Sequence, residues 1–331
     1  MVDVARLAGV STATVSRVLN DPSQASAERR DRVLRAIEEL GYRPDGAARA
    51  LVSGRRSIVA VLTSETSIYG YASTVRGIEL AARASGFVVV ISVIESAEPA
   101  DVERLVDTIM GQPVAGVIAL AFDPEGVAAK AAVPKDVPLV AVSGELDETM
   151  SQARIDETTG GEQITRHLLD LGHRTVVHVS VPTPGGEDGR TIGWRTALQK
   201  AGAEVPPIIE GNWSADSGVK IGRSLAERPD ITAVFCGNDE LAMGVIAGLA
   251  DAGKRVPDDI SVVGFDDHPL ARIWRPAITT VAQDFGGLGW RAFGLLEAQL
   301  GGDASVRHSL ESPLLRVRSS SGPAPARTTT D

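Results

Sequence analysis

Residues 3–20 read DVARLAGVSTATVSRVLN, and residues 26–44 read SAERRDRVLRAIEELGYRP. In the first stretch Val4, Ala5, Leu7 and Ala8 form a short helix that Gly9 and Val10 break. Ser11 is a favourable N-cap for a second helix from Thr12. Val15, Val18 and Leu19 follow at i, i+3, i+4 and face inward, while Thr12, Ala13, Ser16 and Arg17 face outward. Asp21 and Pro22 end that helix. In the second stretch Ser26 caps a third helix, with Val33, Leu34, Ile37 and Leu40 inward and Gly41 at its C-terminal stop. The pattern alone permits two readings. One is a helix-turn-helix whose second helix enters a DNA major groove. The other is three small amphipathic helices with a solvated outer face.

Charge separates this segment from the rest of the chain. Residues 1–56 carry +3, all of the basic groups being Arg, whereas the remainder of the 331 residues carries −13. A basic head on an acidic body suggests that only the head meets a polyanion. The hydrophobic fraction of 43% suits a globular protein with an ample core. No apolar stretch is long enough to span a bilayer, and the N-terminus has no signal-peptide pattern, so a cytoplasmic location is expected. Cys236 is the single cysteine and reads as a small buried hydrophobe.

From Ser57 onward, apolar runs alternate with helical segments. Ile58–Leu62, Val88–Val93, Val114–Leu120 and Leu139–Val142 read as buried parallel strands. Candidate helices at 72–84, 100–110 and 124–130 lie between them. A second series follows: helices at 158–171, 191–201, 215–226 and 240–252, and strands at 175–180, 233–236 and 261–265. Two successive β-α series indicate two doubly wound subdomains whose strand C-termini face one cleft. No catalytic motif stands out, and Gly286, Gly287 and Gly289 do not complete a dinucleotide fingerprint. The five histidines have no metal-ligand spacing, so no metal and no cofactor are expected.

The two quoted stretches closely resemble the headpiece of the LacI family, and the resemblance extends to about Arg318. It implies an all-α helix-turn-helix headpiece joined to an α/β, periplasmic-binding-protein-like core of two doubly wound parallel-sheet subdomains. The expected division is 1–43 for the DNA-binding domain, 44–56 for a hinge helix or linker, 57–317 for effector binding and dimerisation, and 318–331 for a Ser/Pro/Thr-rich disordered tail. By position in the family, Thr12, Ala13 and Arg17 read bases, and Arg17 has the fork geometry for guanine O6 and N7. Ser11, Ser16, Asn20 and Arg30 hold phosphates. Members commonly carry a Thr and an apolar residue before the Asp-Val-Ala segment. Here Met1 and Val2 stand there, so either the start is a few residues late or the chain lacks that cap.

In the family a hinge helix folds on operator DNA and wedges a Leu into the minor groove, a role that falls on Leu51. Gly46 and Asp45 stand where members carry a bulkier residue and Asn. Gly costs about 1 kcal/mol in a helix relative to Ala, so the hinge is expected to fold reluctantly. A plain linker is the alternative.

Polar residues just past strand ends are the candidates for ligand contact. Family position selects Arg190, Asn238, Asp266 and Gln283, with Trp213 as an aromatic wall and Ser143 where a relative carries an Asp. Asp239 and Asp267 read as helix caps or turn residues, Trp194 reads as core, and Tyr69 and Tyr71 either line the mouth or begin a helix. The segment Glu210–Gly218 resembles sugar-responsive members. The resemblance therefore implies a homodimeric repressor, without enzymatic activity, that binds a pseudo-palindromic operator and is controlled by a mono- or disaccharide inducer. A co-repressor-activated regulator of the same fold is the alternative. A binding protein without a DNA role, or a sugar-modifying enzyme using Asp266 and Asp239, are the rival classes.

Overall fold

The computed structural model describes residues 1–20, 25–42, 56–183 and 186–326. The chain divides into two units, Met1–Arg56 and Ser57–Asp331. In the first, helices α1 (Val2–Ala8), α2 (Thr12–Asn20) and α3 (Ala27–Glu39) surround a small core. Gly9 ends α1 in the left-handed region at φ 63°, which lets Val10 N–H reach the Ala5 carbonyl at 3.0 Å. Ser11 Oγ accepts the Thr14 N–H at 3.2 Å, capping α2. Ser26 is extended at the start of α3, but its side chain makes no capping bond. Val4, Val15, Val18 and Val33 are buried. Leu34 and Leu40 are not inward as expected. They are exposed, because α3 turns Val33, Ala36 and Ile37 to the core and ends before Leu40. The hinge residues Asp45, Gly46 and Leu51 lie outside the described residues.

The second unit holds two parallel sheets. The first combines β1 (Ile58–Thr63), β2 (Val88–Val93), β3 (Val114–Leu120), β4 (Leu139–Val142), β5 (Gln152–Ile155) and β11 (His308–Glu311), in the order β11-β5-β4-β3-β1-β2. The second combines β6 (Val177–Ser180), β7 (Ile209–Glu210), β8 (Ala233–Cys236) and β9 (Ser261–Val263), in the order β7-β6-β8-β9. An antiparallel pair, β10 (Thr280–Ala282) and β12 (Leu314–Arg316), adjoins the second sheet through the Val263–Thr279 bridge. The expected doubly wound architecture is borne out. Helices α4 (Tyr69–Ala84) and α11 (Phe285–Leu300) cover one face of the first sheet; α5 (Pro99–Met110) and α6 (Pro124–Ala132) cover the other. On the second sheet α7 (Glu157–Asp170) and α8 (Gly189–Lys200) oppose α9 (Ala215–Ala226) and α10 (Asp239–Asp251). Alternate strand residues divide between the layers: Val59 and Val61 point to one, Ala60 and Leu62 to the other.

Two expectations fail here. β2 is a parallel strand but not a buried one: Val88, Val90, Ile91 and Val93 are exposed, because β2 is the edge of its sheet. Nor is the tail from Arg318 disordered as far as residue 326. Val262 N–H donates to Ser320 O at 2.9 Å, and Ser320 Oγ, fully buried, donates to Val262 O at 2.5 Å. His173 Nε2 lies 3.1 Å from the Gly322 carbonyl, and His167 Nε2 lies 2.9 Å from Ser321 Oγ. Composition missed this because small hydroxyl side chains, usually solvated, here pair with the backbone of the sheet edge. Residues 327–331 lie outside the described residues.

The chain passes between the subdomains three times: after Ile155, after Ala282 and after Glu311. Strand order reverses beside β1 in one sheet and between β6 and β8 in the other. Ligands in open α/β sheets bind at such reversals, beyond the strand C-termini.

Candidate functional site

On the headpiece, α2 buries Val15 and Val18 and exposes Ser11, Thr12, Ala13 and Arg17 on the opposite side. Ser16 is half-buried, and so is Arg30, whose Nε stands 3.8 Å from Asp31. Asn20 closes α2, but its side chain, like Leu51, is outside the described residues. Thr12, Ala13 and Arg17 therefore share an exposed face of a helix braced by two others.

In the second unit a cavity of about 730 Å³ opens between the subdomains. That lies within the range of roughly 300–1,000 Å³ usual for small-molecule sites. Of the residues selected from sequence, Arg190, Asp266, Gln283, Trp213 and Ser143 all line it. Asn238 does not. Its Oδ1 accepts the Leu241 N–H at 2.8 Å, capping α10, and its Nδ2 donates to the Trp213 carbonyl at 3.1 Å. The cap is thus Asn238 rather than Asp239, and Asn238 also holds Trp213 in place. Asp239 is the first residue of the helix, fully buried, and accepts the His268 N–H at 2.6 Å.

Arg190 is the centre of the cavity floor. Its Nη1 donates to the Gly237 carbonyl, and its Nε and Nη2 donate to Glu157 Oε1 at 3.2 and 2.9 Å. Nη2 also stands 3.5 Å from Asp266 Oδ1. The guanidinium lies 4.7 Å from the Phe265 ring centre and 5.7 Å from that of Trp213. Asp266 Oδ1 accepts Gln283 Nε2 at 2.6 Å, and Asp266 itself has φ 104°, a left-handed backbone that aims its carboxylate inward. Burial pushes the Asp266 carboxyl up to about 6 against the pull of Arg190, and pushes Glu157 upward too. Burial alone would lower Arg190, but the Glu157 and Asp266 carboxylates outweigh it and hold the guanidinium charged.

The opposite wall comes from the first subdomain. Ser143 Oγ donates to the Glu145 carbonyl at 2.9 Å and accepts Gln152 Nε2 at 3.0 Å. Gln152 Oε1 in turn accepts the Asp147 N–H, and Arg154 donates twice to the Gly144 carbonyl, so the loop 143–148 is tied to β5. Asp123, capping α6 through Gly126 N–H, also accepts from Tyr71 and Ser64. Burial and that carboxylate raise the Tyr71 phenol above its ordinary value. Among the described residues no group of three or more acidic, His or Cys side chains is placed to hold a metal, and no helix is long and apolar enough to cross a membrane.

Residues 1–45 match the model described as bacterial regulatory proteins, lacI family, and residues 165–321 match a periplasmic binding protein-like domain. The chain is 36% identical over 328 residues to the HTH-type transcriptional regulator CelR of Thermobifida fusca, covering 94% of this chain and 95% of that protein. The chain belongs to the LacI family. The fold of this LacI-family protein is similar to that of the lac repressor dimer bound to operator and the anti-inducer ONPF, with TM-score 0.88, 29% identity, and 97% and 98% of the two chains covered. It is likewise similar to the CelR–cellobiose complex, with TM-score 0.71, 33% identity, and 96% and 98% covered.

Sequence reasoning did not single out Glu157, Gln152, Arg154 or Asp123 in this LacI-family chain. Glu157 stands one residue after Asp156, which caps α7, and acidic residues in a first helical turn are ordinarily solvated. The available signal was an acid placed just past a strand end.

Proposed function

We propose that this protein is a dimeric, sequence-specific DNA-binding repressor, acting in the cytoplasm, whose operator affinity is set by a sugar held in the cleft between its two subdomains. The observation that carries this reading is the constellation on the cavity floor. Arg190, Asp266 and Gln283 form one hydrogen-bonded cluster beside Trp213, in the same chain as an exposed recognition helix. Planar groups that meet hydroxyls in fixed directions, beside an aromatic face, suit a sugar ring. That a relative is known in complex with cellobiose supports the same class.

On the DNA side, Thr12, Ala13 and Arg17 read bases, Ser11, Ser16, Asn20 and Arg30 set register on phosphates, and Leu51 in a hinge over 44–56 supplies the wedge. On the effector side, Arg190, Asp266, Gln283, Trp213 and Ser143 contact the sugar. The carboxylates there are engaged with Arg190, in keeping with binding rather than chemistry. Dimerisation is supported by the apolar edge of β2, where Val88, Val90, Ile91 and Val93 are exposed, and by the dimeric state of the lac repressor structure. Gln283 sits on one of the three chain crossings, so a ligand drawing on it biases closure of the cleft. Operator and inducer then weaken each other by the same factor.

The test is fluorescence anisotropy of the purified protein on labelled DNA from upstream of its own gene, at fixed salt, with sugars added singly. Specific binding released by one sugar is the expected result. Binding strengthened by a sugar reverses the sign of regulation. Absence of specific binding defeats the DNA role, and turnover of a sugar would establish an enzyme.

A further inference from the structure

Resting on the sugar-effector reading, we propose that Glu157 makes this site select hydroxyl-rich ligands against anionic ones by occupying the guanidinium edge that an anionic ligand would need. A phosphate or carboxylate binds Arg best through two parallel N–H donors. In Arg190 the Nε and Nη2 donors, which form one such edge, both go to Glu157 Oε1. Nη1 goes to the Gly237 carbonyl, and Nη2 also faces Asp266. The Arg190 side chain is 6% exposed, and those of Glu157 and Asp266 are 13% and 5% exposed.

The other basic side chains of the cavity are also engaged within the protein. Lys130 faces Asp147 at 3.5 Å, and Arg154 donates to the Gly144 carbonyl. The lining carries seven acidic side chains against three basic ones. Ionised carboxylates only accept hydrogen bonds. A hydroxyl that donates to Asp266 or Glu157 is favoured, whereas an oxyanion meets acceptor against acceptor at carboxylates that are largely buried. Glu157 is fitted for this place. Gly189 leaves room for it, since a Cβ there would come 2.8 Å from Glu157 Cβ, and Glu157 Oε2 faces Gly144 across the cleft.

Two measurements test the proposal. The first needs no effector: melting temperature against inorganic phosphate, with chloride at matched ionic strength as control, for wild type and Glu157→Gln. A saturable, millimolar phosphate response in Glu157→Gln but not in wild type is expected. A saturable response in wild type, or none in a folded Glu157→Gln, overturns the proposal. The second uses wild type alone and is unaffected if the variant does not fold. Calorimetric titration compares glucose, galactose, mannose, cellobiose, maltose and lactose with the 6-phosphates and uronic acids of the three monosaccharides. A neutral sugar binding at least about tenfold more tightly than any anionic derivative, a margin of about 1.4 kcal/mol, is expected. A phosphate or uronate binding more tightly than its neutral parent overturns the charge selectivity and leaves the sugar reading in place. Binding of none of them overturns the sugar reading, while the phosphate comparison still judges the occupancy of Arg190 independently.

Discussion

The backbone carbonyl of Gly286 fills the space that a Cβ on Gly77 would need, so α4 and α11 touch backbone to backbone. Gly289 is closed off in the same way by the Thr74 carbonyl. The run 286–289, which as sequence looks like a fragment of a nucleotide-binding loop, is a helix-packing device. Gly77→Ala is expected to lower stability by about 1–3 kcal/mol from overpacking, more than the roughly 1 kcal/mol of helix propensity it gains. Gly294→Ala, on the same α11 with nothing within 4 Å of the added methyl, is the control; it should be neutral or stabilising. Urea denaturation of both variants checks the pair, and equal midpoints would contradict the contact.

Arg190 balances two carboxylates that, like itself, are largely buried. Arg190→Met leaves Glu157 and Asp266 facing each other and is expected to cost about 3–5 kcal/mol. Adding Glu157→Gln should recover part of that loss. A double-mutant cycle by denaturation measures the coupling, and additive losses would show that the pair does not interact.

Two buried histidines set the acid side of the stability profile. His178 donates from Nδ1 to the Phe235 carbonyl and accepts from Thr191 at Nε2, which requires a neutral ring. Burial lowers it to about 4, and lowers His173 as well. Their folded values lie below the unfolded value of 6.5, so the unfolded state binds more protons in the window between. Their contribution is present above pH 6.5 and is lost as pH falls toward 4. Asp266, raised to about 6 from 3.8, has the opposite sign between those values and offsets part of the loss. Nuclear magnetic resonance titration should show His178 neutral down to about pH 4; protonation near 6.5 would contradict its burial.

Ser320 holds the tail to the second sheet through Val262 O and Thr279 N–H. Ser320→Ala leaves the Thr279 N–H without that acceptor and is expected to cost about 1–3 kcal/mol. Thermal melting measures it. A truly unstructured tail would show no change.

Arg17 is exposed on α2 and makes no contribution to the headpiece core. Arg17→Ala should leave folding intact and cost about 1–3 kcal/mol of discrimination at one base pair. Anisotropy on operators mutated position by position would reveal it as a relaxed preference at a single site.

Much of this molecule was legible in the chain. Val88–Val93, Val114–Leu120, Leu139–Val142, Ala233–Cys236 and Ala215–Ala226 form the elements read for them, residue for residue. β-Branched runs between polar helices admit few other conformations. Helix α11 was missed because its glycine-rich start resembles a loop until α4 is placed against it. β7, β11 and β12 have two to four residues each, and only pairing with distant strands defines them. At the cavity, Asp266 and Gln283 stand just past strand ends, and position in the family selected them together with Arg190. The cap was placed on Asp239 instead of Asn238 because both residue types cap helices, and neighbouring positions differ only in which side chain turns back on its own backbone.

The three passages of chain between the subdomains have a mechanical meaning. A single linker would let the two halves swing in any direction. Three roughly adjacent strands of chain, at 155–157, 282–285 and 311–314, must all flex together, which leaves one rotational coordinate. A ligand in the cleft therefore does not need to select among many arrangements of the halves: whatever free energy it supplies is spent along one hinge axis.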